Sequence, residues 1–239
     1  MIIKKNTLNH LAIIMDGNGR WANNRGLDRS EGHSQGAIVL ANIASHCKKI
    51  GIKYLTLYAF SSENWLRPKS EVDSLMQLLE QYLESNTQEF IKQGVKIITI
   101  GNIAKLNNNL QNKIKYLIDK TKNLKNFTII LALSYGSQDE IAYACKNIVH
   151  KALSNEITLE QIDKNLFATN LETNNLPNPD LLIRTSGELR LSNFLLFQLS
   201  YSELYFAKTL WPDFTRYDLD CAIEEYYKRV RRFGKTKEV

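Results

Sequence analysis

Cysteine is scarce in this chain. Among 239 residues there are three: Cys47, Cys145 and Cys221, far apart and odd in number. No CxxC pair and no Cys/His cluster occurs, so neither a disulfide framework nor a structural zinc site is supported. Reduced, buried thiols in a cytosolic setting are expected. Long apolar runs are missing too. No stretch approaches the roughly 20 residues of a membrane-spanning helix. The opening MIIKKNTLNH has neither the apolar core nor the cleavage site of a signal peptide. GxxxxGK[ST] and GxGxxG are both absent, which disfavours a P-loop NTPase and a dinucleotide fold. No repeat, low-complexity tract or dividing linker is visible, so residues 1–239 read as a single domain.

What is present is an ordinary soluble composition, 44% hydrophobic and 23% charged, with a net charge of +6. The positive surplus favours an anionic partner: nucleic acid, phosphorylated small molecules or an anionic membrane face. A mildly basic surface with no partner fits the charge equally well. Strand-like runs are short and almost wholly apolar: 10–15, 54–60, 95–100, 127–134, 180–185 and 203–207. Continuous apolar runs belong to strands covered on both faces, as in parallel sheets. Helical stripes lie between most of them, in 31–50, 70–93, 105–123, 137–153 and 215–233. The alternation predicts an α/β fold with a mainly parallel central sheet of about six strands flanked by helices. Residues 155–179 read as loop with one short helix.

In an open parallel sheet, ligands bind beyond the carboxyl ends of the strands. There the sequence gathers glycines, polar residues and arginines: DGNGRWANNRGLDRSEGH, SSENWLRP, YGSQDE, RTSGELRLSN and WPDF. Arg20, Arg29, Arg67, Arg184 and Arg190 suit phosphate oxygens, because a guanidinium binds them bidentately and stays charged. Glycines let backbone N–H groups approach an anion. Asp16 fits a ligand for Mg²⁺, which takes one or two carboxylates plus substrate phosphates. Taken singly, each piece has a blander reading. DGNG is more often a surface turn, and Trp21 and Trp65 are more often core or rim residues. His33 could cap a loop, and the arginines could pair with Glu31, Glu63, Glu71 and Glu188. The convergence of several strand ends favours a pyrophosphate site.

MDGNGRWA at 15–22, GH at 32–33, FSSENWLRP at 60–68, the block at 181–206, LWPDF at 210–214 and RRFG at 231–234 resemble the cis-prenyltransferases, in order along nearly the whole chain. The resemblance implies sequential addition of isopentenyl pyrophosphate to an allylic starter, farnesyl pyrophosphate. It implies a long-chain product, undecaprenyl pyrophosphate, the lipid-carrier precursor for cell-wall glycans. It also implies Mg²⁺, a homodimer, a hydrophobic tunnel walled by 70–93 and 128–133, and a cytoplasmic enzyme loosely associated with the inner membrane face, to which product passes. Asp16 and Asn64 are then the catalytic candidates, with Asp16 and Glu203 as the metal-associated acids. Gly17, Asn18, Gly19, Arg20 and Trp21 match the turn at the starter's pyrophosphate, with Arg29, His33 and Arg67 around it. Ser61, Asn64 and Trp65 match the segment that organises both substrates. Arg184, Arg190 and Ser192 match the isopentenyl pyrophosphate clamp. Arg232 and Gly234 match a tail that reaches the partner's site. DDxxD, the carboxylate motif of trans-prenyltransferases, is absent.

Two departures stand out. Relatives commonly carry Tyr-Gly-Gly-Arg where this chain has YGSQ at 135–138, and some carry histidine where it has Leu189. Two rival readings are a non-catalytic accessory subunit, disfavoured by the retained Asp16 and arginines, and a nucleic-acid-binding protein, suggested by KRVRRFGKTK at 228–237. No nucleic-acid partner is expected, and a DNA titration at physiological salt tests this.

Overall fold

The computed structural model describes residues 7–232. Six strands form one sheet: β1 (His10–Ile14), β2 (Tyr54–Ser61), β3 (Val95–Ile100), β4 (Phe127–Tyr135), β5 (Leu181–Arg184) and β6 (Glu203–Phe206). Their order is β3-β4-β2-β1-β5-β6, and every neighbouring pair is parallel. The helices are α1 (Asn18–Asn23), α2 (Arg29–Lys49), α3 (Lys69–Lys92), α4 (Asn108–Thr121), α5 (Ser137–Leu153), α6 (Lys164–Thr169) and α7 (Arg216–Lys228). The strands and the long helices fall where the sequence places them. The exception is α1, a short helix where only a turn is expected.

The apolar strands follow from burial on both faces. Leu11 and Ile13 of β1 enter one core while Ala12 and Ile14 enter the other, because successive side chains of a strand point to opposite faces. The larger core also takes the inner faces of α2, α3, α4 and α7, for example Ile43, Leu83, Leu117 and Leu219. The opposite core is closed by Phe194, Leu195 and Leu199. Of the three cysteines only Cys47 is buried, while Cys221 is half-buried and Cys145 is exposed. The buried face of α5 runs through Ala144 and Ile148, which turns the adjacent Cys145 outward.

Strand order fixes where a ligand can sit. Both β2 and β5 pair with β1, so the sheet grows outward in two directions from there. Connections diverge at this switch point, and a crevice opens beyond the carboxyl ends.

His10 is buried at the opposite end of the sheet. Its ring nitrogens meet the Pro177 carbonyl oxygen at 2.6 Å and Thr56 Oγ1 at 2.7 Å. Burial lowers its pKa from 6.5 to about 4, against the raising effects of Pro177 and Asp180. The unfolded chain therefore binds more protons between those two values. Stability is full above pH 6.5 and is lost as pH falls toward 4. Between pH 7 and pH 5 His10 alone is expected to cost about 2 kcal/mol. A urea midpoint that stays constant over that interval would refute this.

Candidate active site

β1 and β5 end side by side, with Ile14 opposite Arg184. The chain then passes from Asp16 through Gly17, whose φ of 105° is a backbone that suits glycine. A Cβ on Gly17 would also lie 2.8 Å from Leu210 Cδ2. This one residue turns the end of β1 into α1.

Asp16 is held from two sides. Its N–H donates to Thr185 Oγ1 at 2.9 Å, and its Oδ2 accepts from Arg184 Nη2 at 2.8 Å. Arg20 Nη2 lies 3.5 Å from Oδ1. Burial pushes the Asp16 pKa up, but the Arg184 hydrogen bond and charge, helped by Ser186 and Arg20, outweigh it and hold it below the ordinary aspartate value. The carboxylate is ionised at neutral pH. Arg184 is 4% exposed, and its Nη1 donates to the Arg190 carbonyl oxygen at 2.5 Å and to Ser192 Oγ at 2.7 Å. One buried guanidinium thus joins Asp16 to the Arg190–Ser192 loop. Arg184, expected in one pyrophosphate clamp, also bonds the aspartate expected beside the other.

The other arginines are paired through shared carboxylates. Arg20 Nη1 lies 2.9 Å from Glu188 Oε1, and Arg190 bonds the second oxygen of Glu188. Arg29 Nε lies 3.1 Å from Glu71 Oε2, and Arg67 Nη1 lies 3.0 Å from Glu71 Oε1. Arg29 packs over Gly19, where a Cβ would come within 2.6 Å of the guanidinium carbon. His33 Nε2 stays 4.0 Å from Glu71, beyond hydrogen-bond reach. Burial, joined by the charges of Arg67 and Arg29 and opposed by Glu71, lowers the His33 pKa to about 4, so the ring is neutral at pH 7. Ser61 and Asn64 cap one 3₁₀ turn reciprocally, with the Ser61 N–H donating to Asn64 Oδ1 at 3.0 Å.

A cavity of about 760 Å³ opens among these groups. Its polar wall holds Asp16, Gly17, Asn18, Gly19, Arg20, Arg29, His33, Ser61, Asn64, Arg67, Arg184, Arg190 and Ser192. Its apolar wall is Ala37 and Leu40 of α2, Phe60, and Leu75, Met76, Leu79 and Tyr82 of α3. Helix α3, expected to wall a tunnel, supplies the apolar side of this cavity. The strand at 128–133 does not, because both of its faces are taken up by the two cores. Tyr58, Glu63, Gln138 and Asn193 also line the cavity and were not among the candidates. Asn193 stood beside Ser192 in LRLSN, and Gln138 in the departing YGSQ.

Four candidates, Trp21, Trp65, Glu203 and Arg232, are not brought into this cavity. The Trp21 indole N–H donates to Asp213 at 2.7 Å, and Arg25 stacks on the ring at 4.3 Å. The Trp65 indole N–H donates to Ser134 Oγ at 2.8 Å, and its ring meets Phe60 edge-on. Glu203 begins β6 opposite Leu181, at the amino end of the sheet, and pairs with Arg229 at 3.1 Å. Asp16 lies about five residues further along the strand direction, a displacement of roughly 16 Å at ~3.3 Å per residue. The expected Asp16–Glu203 metal pair is therefore not formed within one chain. Arg232 is exposed at the same remote end, next to Arg231, whose guanidinium bonds Asp180 at 2.7 Å. Gly234 lies outside the described residues.

The described residues contain no cluster of three His, Cys, Asp or Glu side chains able to hold a metal ion unaided. Asp16 offers ionised, hard oxygen ligands. Around the cavity five arginines face four carboxylates, Asp16, Glu63, Glu71 and Glu188. That balance leaves too little positive charge for two pyrophosphates. The donor set fits Mg²⁺ shared between one protein carboxylate and substrate phosphates.

A parallel α/β sheet with an arginine-ringed aspartate at its switch point, opening on a cavity with one polar and one apolar wall, suits an enzyme of anionic esters that carry apolar groups. The prenyltransferase family model described as "Putative undecaprenyl diphosphate synthase" matches residues 14–234. The chain is 47% identical to an isoprenyl transferase of Helicobacter pylori, over 97% of this chain and 99% of that one. It is 46% identical to an isoprenyl transferase of Aquifex aeolicus, over 95% and 96% of the two chains. Among solved structures, lavandulyl diphosphate synthase from Lavandula x intermedia, in complex with dimethylallyl diphosphate, matches with a TM-score of 0.92 at 40% identity, over 95% and 98% of the two chains. A probable undecaprenyl diphosphate synthase from Campylobacter jejuni matches with a TM-score of 0.80 at 35% identity, over 96% and 100%. The chain belongs to the undecaprenyl diphosphate synthase family of prenyltransferases.

Proposed function

We propose that this prenyltransferase adds isopentenyl pyrophosphate units in succession to farnesyl pyrophosphate, with cis double bonds, and releases undecaprenyl pyrophosphate. The observation that supports this most is the two-sided cavity. Its arginine wall suits pyrophosphates, and its α3 wall suits a growing apolar chain. In each cycle the allylic C–O bond breaks and pyrophosphate leaves with its electron pair. The starter carbon bonds the terminal alkene carbon of isopentenyl pyrophosphate, and a proton is lost as the new double bond forms.

Arg20 and Arg29 hold the starter's pyrophosphate, with neutral His33 and Arg67 beside it. Arg190 and Ser192 hold the second pyrophosphate. Arg184 fixes the distance between the two by binding Asp16 and Ser192 together. Asp16 would hold Mg²⁺, which would supply positive charge where negative charge builds on the leaving group. Asn64 keeps the 61–67 segment in order by capping it. Pre-positioning both substrates contributes the remainder of the rate.

Homodimer formation is part of this reading. Glu203 and Arg232 both sit at the end of the sheet away from Asp16. Two residues that the family uses at the site share this displacement, which suits delivery to a partner's site. No helix among the described residues is long and apolar enough to cross a membrane. We place the enzyme in the cytoplasm, handing its apolar product to the inner membrane face.

Arg190→Lys keeps the charge and removes the bidentate fork. It is expected to raise KM for isopentenyl pyrophosphate roughly tenfold, the cost of about one charge-assisted hydrogen bond, with little change for the starter. Arg184→Lys is expected to raise both, since Arg184 touches both halves. Steady-state kinetics with each substrate varied in turn would show it. Equal loss for both substrates in Arg190→Lys would refute the placement.

The direct test of the reaction is incubation with farnesyl pyrophosphate, radiolabelled isopentenyl pyrophosphate and Mg²⁺, with the product then sized. A ladder ending in one long product is expected. A single short condensation product, or none, would overturn the reading.

A further inference from the structure

Asn193 lies where three segments of the cavity wall converge. Its Nδ2 donates to Glu63 Oε1 at 2.8 Å. Its Oδ1 accepts from the Gln138 N–H at 2.8 Å. Its carbonyl oxygen accepts from the Ser137 N–H at 2.8 Å. One residue therefore ties the β5–β6 loop to the start of α5 and to the 3₁₀ turn after β2. The backbone is adapted to this. Ser192 and Asn193 both have left-handed φ, 48° and 60°, and asparagine tolerates that conformation because its short polar side chain bonds locally. Space is reserved as well. A Cβ at Gly136 would lie 2.7 Å from Asn193 Nδ2 and 2.4 Å from Ser62 Oγ.

We propose that Asn193 is a positioning residue that locks the Ser61–Arg67 segment to the Arg184–Ser192 clamp, so that the two pyrophosphate subsites keep a fixed spacing. This rests on the two-substrate reading above. The link runs from Ser192, which accepts from Arg184, through Asn193 to Glu63, the neighbour of Asn64. No other side chain among the described residues bonds Glu63 to the β5–β6 loop. Asn193 acts through Glu63 and Ser192. The bond is directional. Asn193 must donate, because an ionised Glu63 only accepts.

Directionality gives the test. Asn193→Asp keeps the size, the left-handed backbone and the acceptor for the Gln138 N–H, but sets a carboxylate against Glu63. It is expected to raise KM for isopentenyl pyrophosphate roughly tenfold, an ordinary coupling for contacting residues. Glu63→Gln alone is expected to cost about threefold or less on the same scale, because its amide oxygen still accepts. The double variant reverses the polarity, with the new amide donating to the new carboxylate. It is expected to return to within about threefold of the unsubstituted chain. Thermal melting of all four chains would separate folding from positioning, and the unfolding midpoints are expected to stay together while KM moves. Two costs that simply add, or an Asn193→Asp chain with ordinary KM, would overturn the proposal. If Asn193→Asp does not fold, Asn193→Gly removes the carboxamide without backbone strain. Glu63→Gln should then have no further effect in that background, and an undiminished effect would refute the lock. Failure of the functional reading is seen separately, as absence of turnover by the unsubstituted chain. In that case the dissociation constant for inorganic pyrophosphate across the same four chains tests the lock, and a constant value refutes it.

Discussion

Asp16→Ala is expected to lower kcat by about two to three powers of ten, the usual cost of one key electrostatic stabiliser. Starter binding should fall much less, because Arg20 and Arg29 remain. The structure adds a second consequence. Arg184 is nearly fully buried and spends one arm on Asp16. Removing the carboxylate leaves a buried guanidinium with one fewer partner, which is destabilising. Asp16→Asn therefore belongs in the same experiment, since its amide oxygen still accepts from Arg184. Asparagine should keep the melting temperature closer to normal yet lose turnover as alanine does, because it offers no charge. A substituted chain that retains more than half the normal turnover would sink the assignment of Asp16. Loss of turnover only in proportion to lost folded protein would sink it equally.

The second large effect concerns the tail. Truncation after Arg231 is expected to leave a folded dimer with little activity. Arg231 stays, and with it the bonds to Asp180, Tyr226 and Tyr201 that fasten the end of α7 to the sheet. Only Arg232 and the residues after it are removed. The tail leaves from the amino end of the strands, as Glu203 does, while Asp16 lies beyond their carboxyl ends. A two-fold dimer makes the exchange of such elements reciprocal. Mixing the truncated chain with Asp16→Ala chains gives the decisive result. In a mixed dimer the intact Asp16 comes from one chain and the intact tail from the other, so one competent site is rebuilt. Random 1:1 exchange makes half of the dimers mixed, and roughly a quarter of normal activity should return. If the chains exchange and activity stays at the level of the separate variants, the tail acts within its own chain or not at all.

The sequence by itself determined the class of fold and the list of chemical groups. Apolar runs such as VKIITI announced strands buried on both faces, because every residue of such a strand meets a core. The 3.6-residue stripe from Val72 to Leu83 announced α3 for the same reason. Glycine next to Asp16 marked the turn, since few other residues hold a φ of 105°. Arginines at several strand ends could be read as one anion site because parallel strands end on the same side.

Tertiary structure decided which of these groups meet. Composition named Glu31, Glu63, Glu71 and Glu188 as possible counter-ions. Only the fold shows Glu71 and Glu188 each bridging two arginines, with Glu63 on Asn193 and Glu31 capping α2. Arg184 bonding both Asp16 and Ser192 depends on β5 lying beside β1, a pairing between distant parts of the chain that no local pattern encodes. The direction of β6 moved Glu203 to the far end of the sheet, although its motif matches. Trp21 and Trp65 left the cavity because Asp213 and Ser134, distant in sequence, offer their indole N–H groups a partner. Local pattern fixes what a side chain is and which face of its element it occupies. Its partners are fixed by long-range strand order and register, because hydrogen bonds and ion pairs form only where the packed sheet brings donor and acceptor within about 3 Å.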